Sequence, residues 1–119
     1  MSVLQSIYST LNSAGFTAGL GQFPMTPGDC AKIIFPTEKD KAGQDKCAKF
    51  LGDDDAKTGT FKVVVRGNDY HTIITQIVQV ETAMKSAGFM QIGMYEDVES
   101  KTGETFMQLA VNFKFIKTN

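Results

Sequence analysis

The sequence has no tryptophan, one histidine and only two cysteines in 119 residues. Each scarcity narrows the chemistry. A lone His71 gives nucleophilic catalysis one base to work with, and no orienting partner for it is identifiable. Cys30, Cys47 and His71 match no zinc-ligand spacing. The two cysteines read as free thiols rather than as a bridge, because a chain with no secretory leader keeps its thiols reduced. No leader is expected, since MSVLQSIYSTL has no Lys or Arg ahead of its apolar residues. No run reaches the roughly 18 apolar residues of a membrane span. Neither sign of charge is in excess: Lys plus Arg total 12 and Asp plus Glu 13. The electrostatic footprint of a nucleic-acid or anionic-lipid binder is therefore missing. What is present is 42% hydrophobic and 21% charged residues, the composition of one globular domain able to bury an ordinary core.

Periodicity then divides the chain. Val3, Leu4, Ile7, Tyr8 and Leu11 recur at helical steps and predict a helix over residues 2–14, capped by Ser2. A glycine-weakened strand is expected over 16–23, with turns at Pro24 and Pro27-Gly28. A second strand covers 30–35, with Ala31, Ile33 and Phe35 on one face. Residues 36–60 are highly charged and lack strand periodicity. They allow one short helix near 45–51, and they read either as a solvated excursion or as a loop that orders on assembly. Strand alternation returns over 61–66, where Phe61, Val63 and Val65 share a face.

Asn68 or Asp69 can then cap a long helix over 69–87, whose apolar stripe is Tyr70, Ile73, Ile74, Ile77, Val80 and Met84. A strand over 89–96 carries Met90, Ile92 and Met94 on one side. A polar hairpin follows at 97–103. The cleanest strand, 105–117, puts Met107, Leu109, Val111, Phe113 and Phe115 on one face. The class is α+β: an antiparallel sheet of about five strands with both helices on one face, in the order α-β-β-loop-β-α-β-β.

Both helices end in the same letters, Ser-Ala-Gly-Phe at 13–16 and 86–89. A glycine one position past the helix adopts the left-handed conformation without a Cβ clash. Gly15 and Gly88 fit that place, with Phe16 and Phe89 falling where a closing apolar contact to Leu11 and Met84 is made. The repeat is a folding device.

Sites of chemistry are harder to find. Gly19-x-Gly21 lacks the residues of a phosphate loop. The Asp53–Asp55 run lacks the alternating ligands of a calcium loop, and it and Glu96, Asp97 and Glu99 are expected in polar loops, where carboxylates are simply solvated. His71 reads as an exposed residue of a helical first turn. The aromatics fall on core faces and the six methionines read as core filler. On the face opposite the core, Ile34, Val64, Ala110 and Ile116 are either scattered apolar residues or a patch covered by a neighbouring subunit.

The order of elements is familiar. FTAGLGQFP, CAKIIFP, the unit FKVVVRGNDYHTIITQIVQVETAMKSAGF and a closing TFMQLAVNFKFI together resemble the tail terminator (minor capsid, tail-completion) proteins of tailed bacteriophages and prophages. The likeness covers nearly the whole chain as an order of elements and is most specific over 63–89. The excursion 36–60 is longer than the family pattern.

The resemblance implies a structural virion protein, with no enzymatic activity and no cofactor. Six copies would form a ring on the last ring of the tail tube, end its polymerisation and meet a head-completion or connector protein. DNA would only pass through the channel. The implied location is the virion tail, assembled in the cytoplasm of a bacterial host, with no membrane contact. The charged loops 36–60 and 97–103 become the assembly loops. In the first the candidates are Lys39, Lys41, Lys46 and Lys49, with Asp53, Asp54 and Asp55. In the second they are Glu99 and Lys101. The alternative function is an α+β module binding a small molecule or peptide between the long helix and the sheet.

Overall fold

The stretch with the cleanest two-residue period becomes the inner strand that holds the second half of the sheet. The structure is a computed structural model and describes residues 3–26, 28–35, 58–98 and 107–116. It contains α1 (Val3–Ser13), β1 (Thr17–Leu20), β2 (Cys30–Ile34), β3 (Thr58–Gly67), α2 (Tyr70–Ser86), β4 (Met90–Val98) and β5 (Met107–Ile116). The sheet order is β1-β2-β3-β5-β4. The fold is α+β, with five strands and two helices among the described residues, as the sequence pattern implies.

Three of the four strand pairs are antiparallel, but β1 runs parallel to β2, with Thr17 opposite Cys30 and Leu20 opposite Ile33. The sheet is therefore mixed, and the first two strands do not form a hairpin. Parallel neighbours need a crossover, and here residues 21–29 supply it. The crossover is anchored at both ends, by Gly21 N–H donating to Ile33 O and Thr17 N–H donating to Asp29 O.

One face of the sheet carries Ala31, Ile33, Phe61, Val63, Val65, Leu109, Val111, Phe113 and Phe115, all buried. Ile7 and Leu11 of α1 and Ile73, Ile77, Val80 and Met84 of α2 close over it to form one core. Phe61 lies at its aromatic centre. Its ring stands edge-on to Phe89 at 5.3 Å and stacks on its cross-strand partner Phe113 at 5.6 Å. Phe35 lies 6.1 Å away and Phe115 6.5 Å.

Four expectations need correction. The α2 stripe is narrower than predicted: Tyr70 and Ile74 are about half exposed, and Gln76 takes a buried place instead. Methionine is mostly not core filler, since Met25, Met90, Met94 and Met107 are exposed and only Met84 is buried among the described methionines. Tyr70 and Tyr95 are exposed aromatics, and Phe23 lies between two basic side chains. Finally, β4 does not keep its alternation. Its register against β5 shifts between Ile92 and Glu96, where two more residues of β4 than of β5 must be accommodated. Gly93 absorbs this bulge at φ +70°.

Both helix ends form the expected Schellman caps. Phe16 N–H donates to Leu11 O at 3.0 Å and Gly15 N–H to Asn12 O at 3.1 Å. Phe89 N–H donates to Met84 O at 3.0 Å and Gly88 N–H to Lys85 O at 3.1 Å. Gly15 has φ 95° and Gly88 φ 97°. A Cβ built on either glycine meets nothing within 4 Å, so only the backbone conformation demands glycine. Gly15→Ala and Gly88→Ala are each expected to cost about 1–2 kcal/mol. The double variant should show the sum, since the two caps belong to different helices. Urea melts of the three variants measure this, and unchanged midpoints would rule the caps out.

Candidate assembly surface

The face of the sheet opposite the helices is the first place to look for a partner. There the pattern predicted an apolar group of Ile34, Val64, Ala110 and Ile116. The structure divides it. Val64 and Ala110 are opposite each other in the β3–β5 register and are fully buried within the chain itself. Lys32 is the cross-strand partner of Val64 on β2, and Arg66 is its next neighbour on that face. The Phe23 ring, delivered by the crossover, lies 4.9 Å from Lys32 Nζ and 4.6 Å from the Arg66 guanidinium carbon. Two cations on one aromatic ring fix the crossover against this outer face. Further along, Glu96 accepts from Lys62 Nζ at 2.8 Å and from Asn112 Nδ2 at 2.9 Å. Both contacts hold its carboxyl below the usual range, Lys62 more than Asn112. Ile34 is half-buried and Ile116 is exposed.

The larger apolar exposure is at the β4 edge and on α2. Met90, Ile92, Met94 and Tyr95 are all exposed on β4. On α2 the exposed apolar residues are Tyr70, Ile74 and Val78, spaced four apart and so aligned on one flank. Glu81 continues that flank. It accepts from Lys85 at 2.8 Å and from the Tyr95 hydroxyl. This hydrogen bond to a carboxylate pushes the Tyr95 hydroxyl up to about 12. It also shows that the flank faces β4. Apolar side chains exposed on both β4 and α2 present material for an interface.

The N-terminus of α2 is closed by Asp69, which sequence left as one of two choices. Its Oδ1 accepts from Thr72 N–H at 2.8 Å. Hydrogen bonds from Thr72 lower the carboxyl below its ordinary 3.8. Beside it lies an open polar cavity of about 370 Å³, lined by Thr26, Gly28, Cys30, Arg66, Gly67, Asn68, Asp69, Thr72 and Gln76. Gln76 ties α2 to the crossover by donating to Asp29 Oδ1 at 2.9 Å. Cys30 is buried under the same turn, its sulfur 3.5 Å from Gly28 O. His71 is exposed in the first turn of α2.

The cap has a pH signature. A carboxyl whose folded value lies below its unfolded value stabilises the fold above the unfolded value and loses that effect as pH falls through the folded one. Asp69→Ala should melt below the parent at pH 7, and the gap should close as the pH drops below 3.8. Asp69→Asn caps without titrating, so its melting point should stay near the parent's at pH 7. A gap independent of pH would refute the assignment.

The expected caps Gly15, Phe16, Asp69, Gly88 and Phe89 all stand where predicted. The charged candidates of the two loops lie outside the described residues: Lys39, Lys41, Lys46, Lys49, Asp53, Asp54, Asp55, Glu99 and Lys101. The short helix expected near 45–51 and Cys47 also lie outside them. Sequence reasoning missed Phe23, Met25 and the α2 flank as surface features. Only the flank had a signal, since its stripe is wider than one core contact needs. Among the described residues no group of three or more His, Cys, Asp or Glu side chains could hold a metal ion. No described helix is long and apolar enough to cross a membrane. No protein-family model and no curated protein sequence matches the chain.

Proposed function

We propose that this protein is a structural component of a phage tail, of the tail terminator class. In this reading it closes the tail tube as a ring of six, ends tube growth and presents a surface to the head-completion protein. It carries no catalysis and needs no cofactor. It works in the virion tail after assembly in the host cytoplasm, and DNA touches it only in passage. The observation that carries the reading is the resemblance over 63–89. That segment comprises the second half of β3, the Arg66-Gly67-Asn68-Asp69 turn, α2 and the Gly88-Phe89 cap. Exposed apolar residues on the β4 edge and the α2 flank support it, because a ring subunit must keep two surfaces for its neighbours.

The test starts from the neighbouring genes, one of which should encode a tail-tube protein, and follows the growth of tubes of that protein in vitro. Added protein should stop elongation and leave a cap visible at one tube end by negative stain. Tubes that grow to the same lengths with uncapped ends would overturn the reading.

The cavity at the start of α2 favours a second reading, a module that binds a small polar ligand. At about 370 Å³ it falls in the range of small-molecule sites. A ligand-dependent rise in melting temperature, lost in Gln76→Leu, would favour it.

A further inference from the structure

The edge strand of a sheet offers a row of unpaired backbone N–H and C=O groups to a strand of another chain. The two edges of this sheet are unequal. β1 is only four residues long. β4 is nine residues long, and among the described residues no strand pairs with its outer side. Its stretch Met90–Tyr95 has no charge and no proline, and Met90, Ile92, Met94 and Tyr95 are exposed. A long, uncharged, apolar edge is the kind that recruits a second copy.

The backbone of β4 breaks that template in the middle. Ile92 pairs with Asn112 and Glu96 with Ala110, so residues 93–95 lie opposite Val111 alone. Gly93 turns the chain at φ +70°. A Cβ built on it meets nothing within 4 Å, so conformation, not space, asks for glycine there. The Gly93 carbonyl is taken by the strand's own Gln91, whose Nε2 donates to it at 3.3 Å. A regular partner strand finds no matching row of donors and acceptors across such a stretch. Past the bulge, Glu96 and Asp97 put exposed charge on the edge.

We propose that the bulge at Gly93 guards the β4 edge: it keeps a second copy of this chain from pairing its own β4 there, and so ends the sheet at five strands. Two β4 strands paired antiparallel would be related by a two-fold axis, and that contact closes at two copies. The guard leaves the exposed side chains of β4 and α2 available to a partner. It excludes only a contact in which the sheet runs on from one copy into the next. It goes beyond the tail reading and does not depend on it.

Removal of Gly93 and Met94 leaves Tyr95 alone opposite Val111 and restores a one-to-one register along β4. Gly93→Val straightens the strand without a deletion, since a β-branched residue resists positive φ. Gly93→Asn keeps the bulge, because Asn tolerates the left-handed region. Tyr95→Phe removes the bond to Glu81 and keeps the bulge. Size exclusion with light scattering gives the masses, hydrogen exchange gives the protection of the β4 amides, and thermal melts show that each variant is folded. The parent, Gly93→Asn and Tyr95→Phe should share one mass, with β4 exchange that does not slow as protein concentration rises. The deletion and Gly93→Val should double that mass and slow β4 exchange. Ile92→Lys added to the deletion puts a charge in the middle of the straightened edge and should restore the parent's mass. Four results would overturn the proposal. They are a parent whose β4 amides gain protection with concentration, straightened variants that fold and keep the parent's mass, a Gly93→Asn or Tyr95→Phe variant that doubles, and a doubled deletion variant that Ile92→Lys does not return. If the deletion abolishes the cooperative melt, Gly93→Val, with Ile92→Lys added to it, decides among the same results. None of these bears on tube capping, which is read separately by elongation.

Discussion

Phe61→Ala is expected to lower stability by about 3–5 kcal/mol, the largest loss of any single substitution considered. Phe61 is 1% exposed and sits on β3, the strand that links the two halves of the sheet. Four other rings lie within 6.5 Å of its centroid. Truncation removes the transfer free energy of the ring and leaves a cavity that rings held on three other segments cannot fill by a simple rotamer change. One of those rings, Phe89, also closes the α2 cap, so part of the cost reaches the helix end. Phe61→Leu keeps most of the volume and should cost clearly less. Chemical denaturation of the two variants measures the difference. A Phe61→Ala loss below about 1 kcal/mol would mean that the aromatic cluster is not the centre of the core.

Gly67→Ala should cost about 1–3 kcal/mol for a different reason. Gly67 has no positive φ, so its backbone asks for no glycine. Space does. A Cβ at this position would stand 2.5 Å from Ile73 Cγ2, and Ile73 is fully buried. Either β3 moves away from α2 or Ile73 leaves its rotamer, and both disturb the first turn of the helix that Asp69 caps. The companion change Ile73→Leu in the Gly67→Ala background keeps the side chain's volume but removes the Cγ2 branch from this crowded contact. It should cost less there than in the parent, a coupling that a double-mutant cycle reads directly. Additive losses would show that the contact is not the cause.

Local patterns made much of this architecture legible. Phe61, Val63 and Val65 announce a buried strand face, and Leu109, Val111, Phe113 and Phe115 announce its partner. The glycines of the two Ser-Ala-Gly-Phe corners mark the helix ends to the residue, because only a left-handed position makes glycine worth its entropy there. Non-local choices were not legible. The parallel run of β1 depends on a crossover passing over the outer face, and its anchors are backbone bonds to Ile33 and Asp29 that any residues could make. The bulge in β4 is hidden because Met90, Ile92 and Met94 keep an apolar alternation although β4 is an exposed edge. Val64 looks like an exposed valine until Phe23, remote in sequence, is placed beside Lys32 and Arg66. The surfaces were legible only in part for the same reason. A wide stripe on α2 shows how much of the helix is apolar, and only the packing shows which side of it the core leaves uncovered.

That uncovered side gives the proposed role its physical content. A ring subunit needs a stable core and two unlike surfaces, and α2 serves both ends, with Ile73, Ile77, Val80 and Met84 inward and Tyr70, Ile74 and Val78 outward. The caps and the Asp29–Gln76 bond hold α2 to its neighbours, so the outward strip is presented on a fixed helix rather than on a loop.

The most direct test of the proposed tail-terminator role is immunogold electron microscopy, with antibody to this protein, on the tailed-phage particles released by cells that carry its gene. The proposed role predicts label at the head-proximal end of the tail, where the tube meets the head. Particles without label, or with label confined to the distal tip, would contradict it.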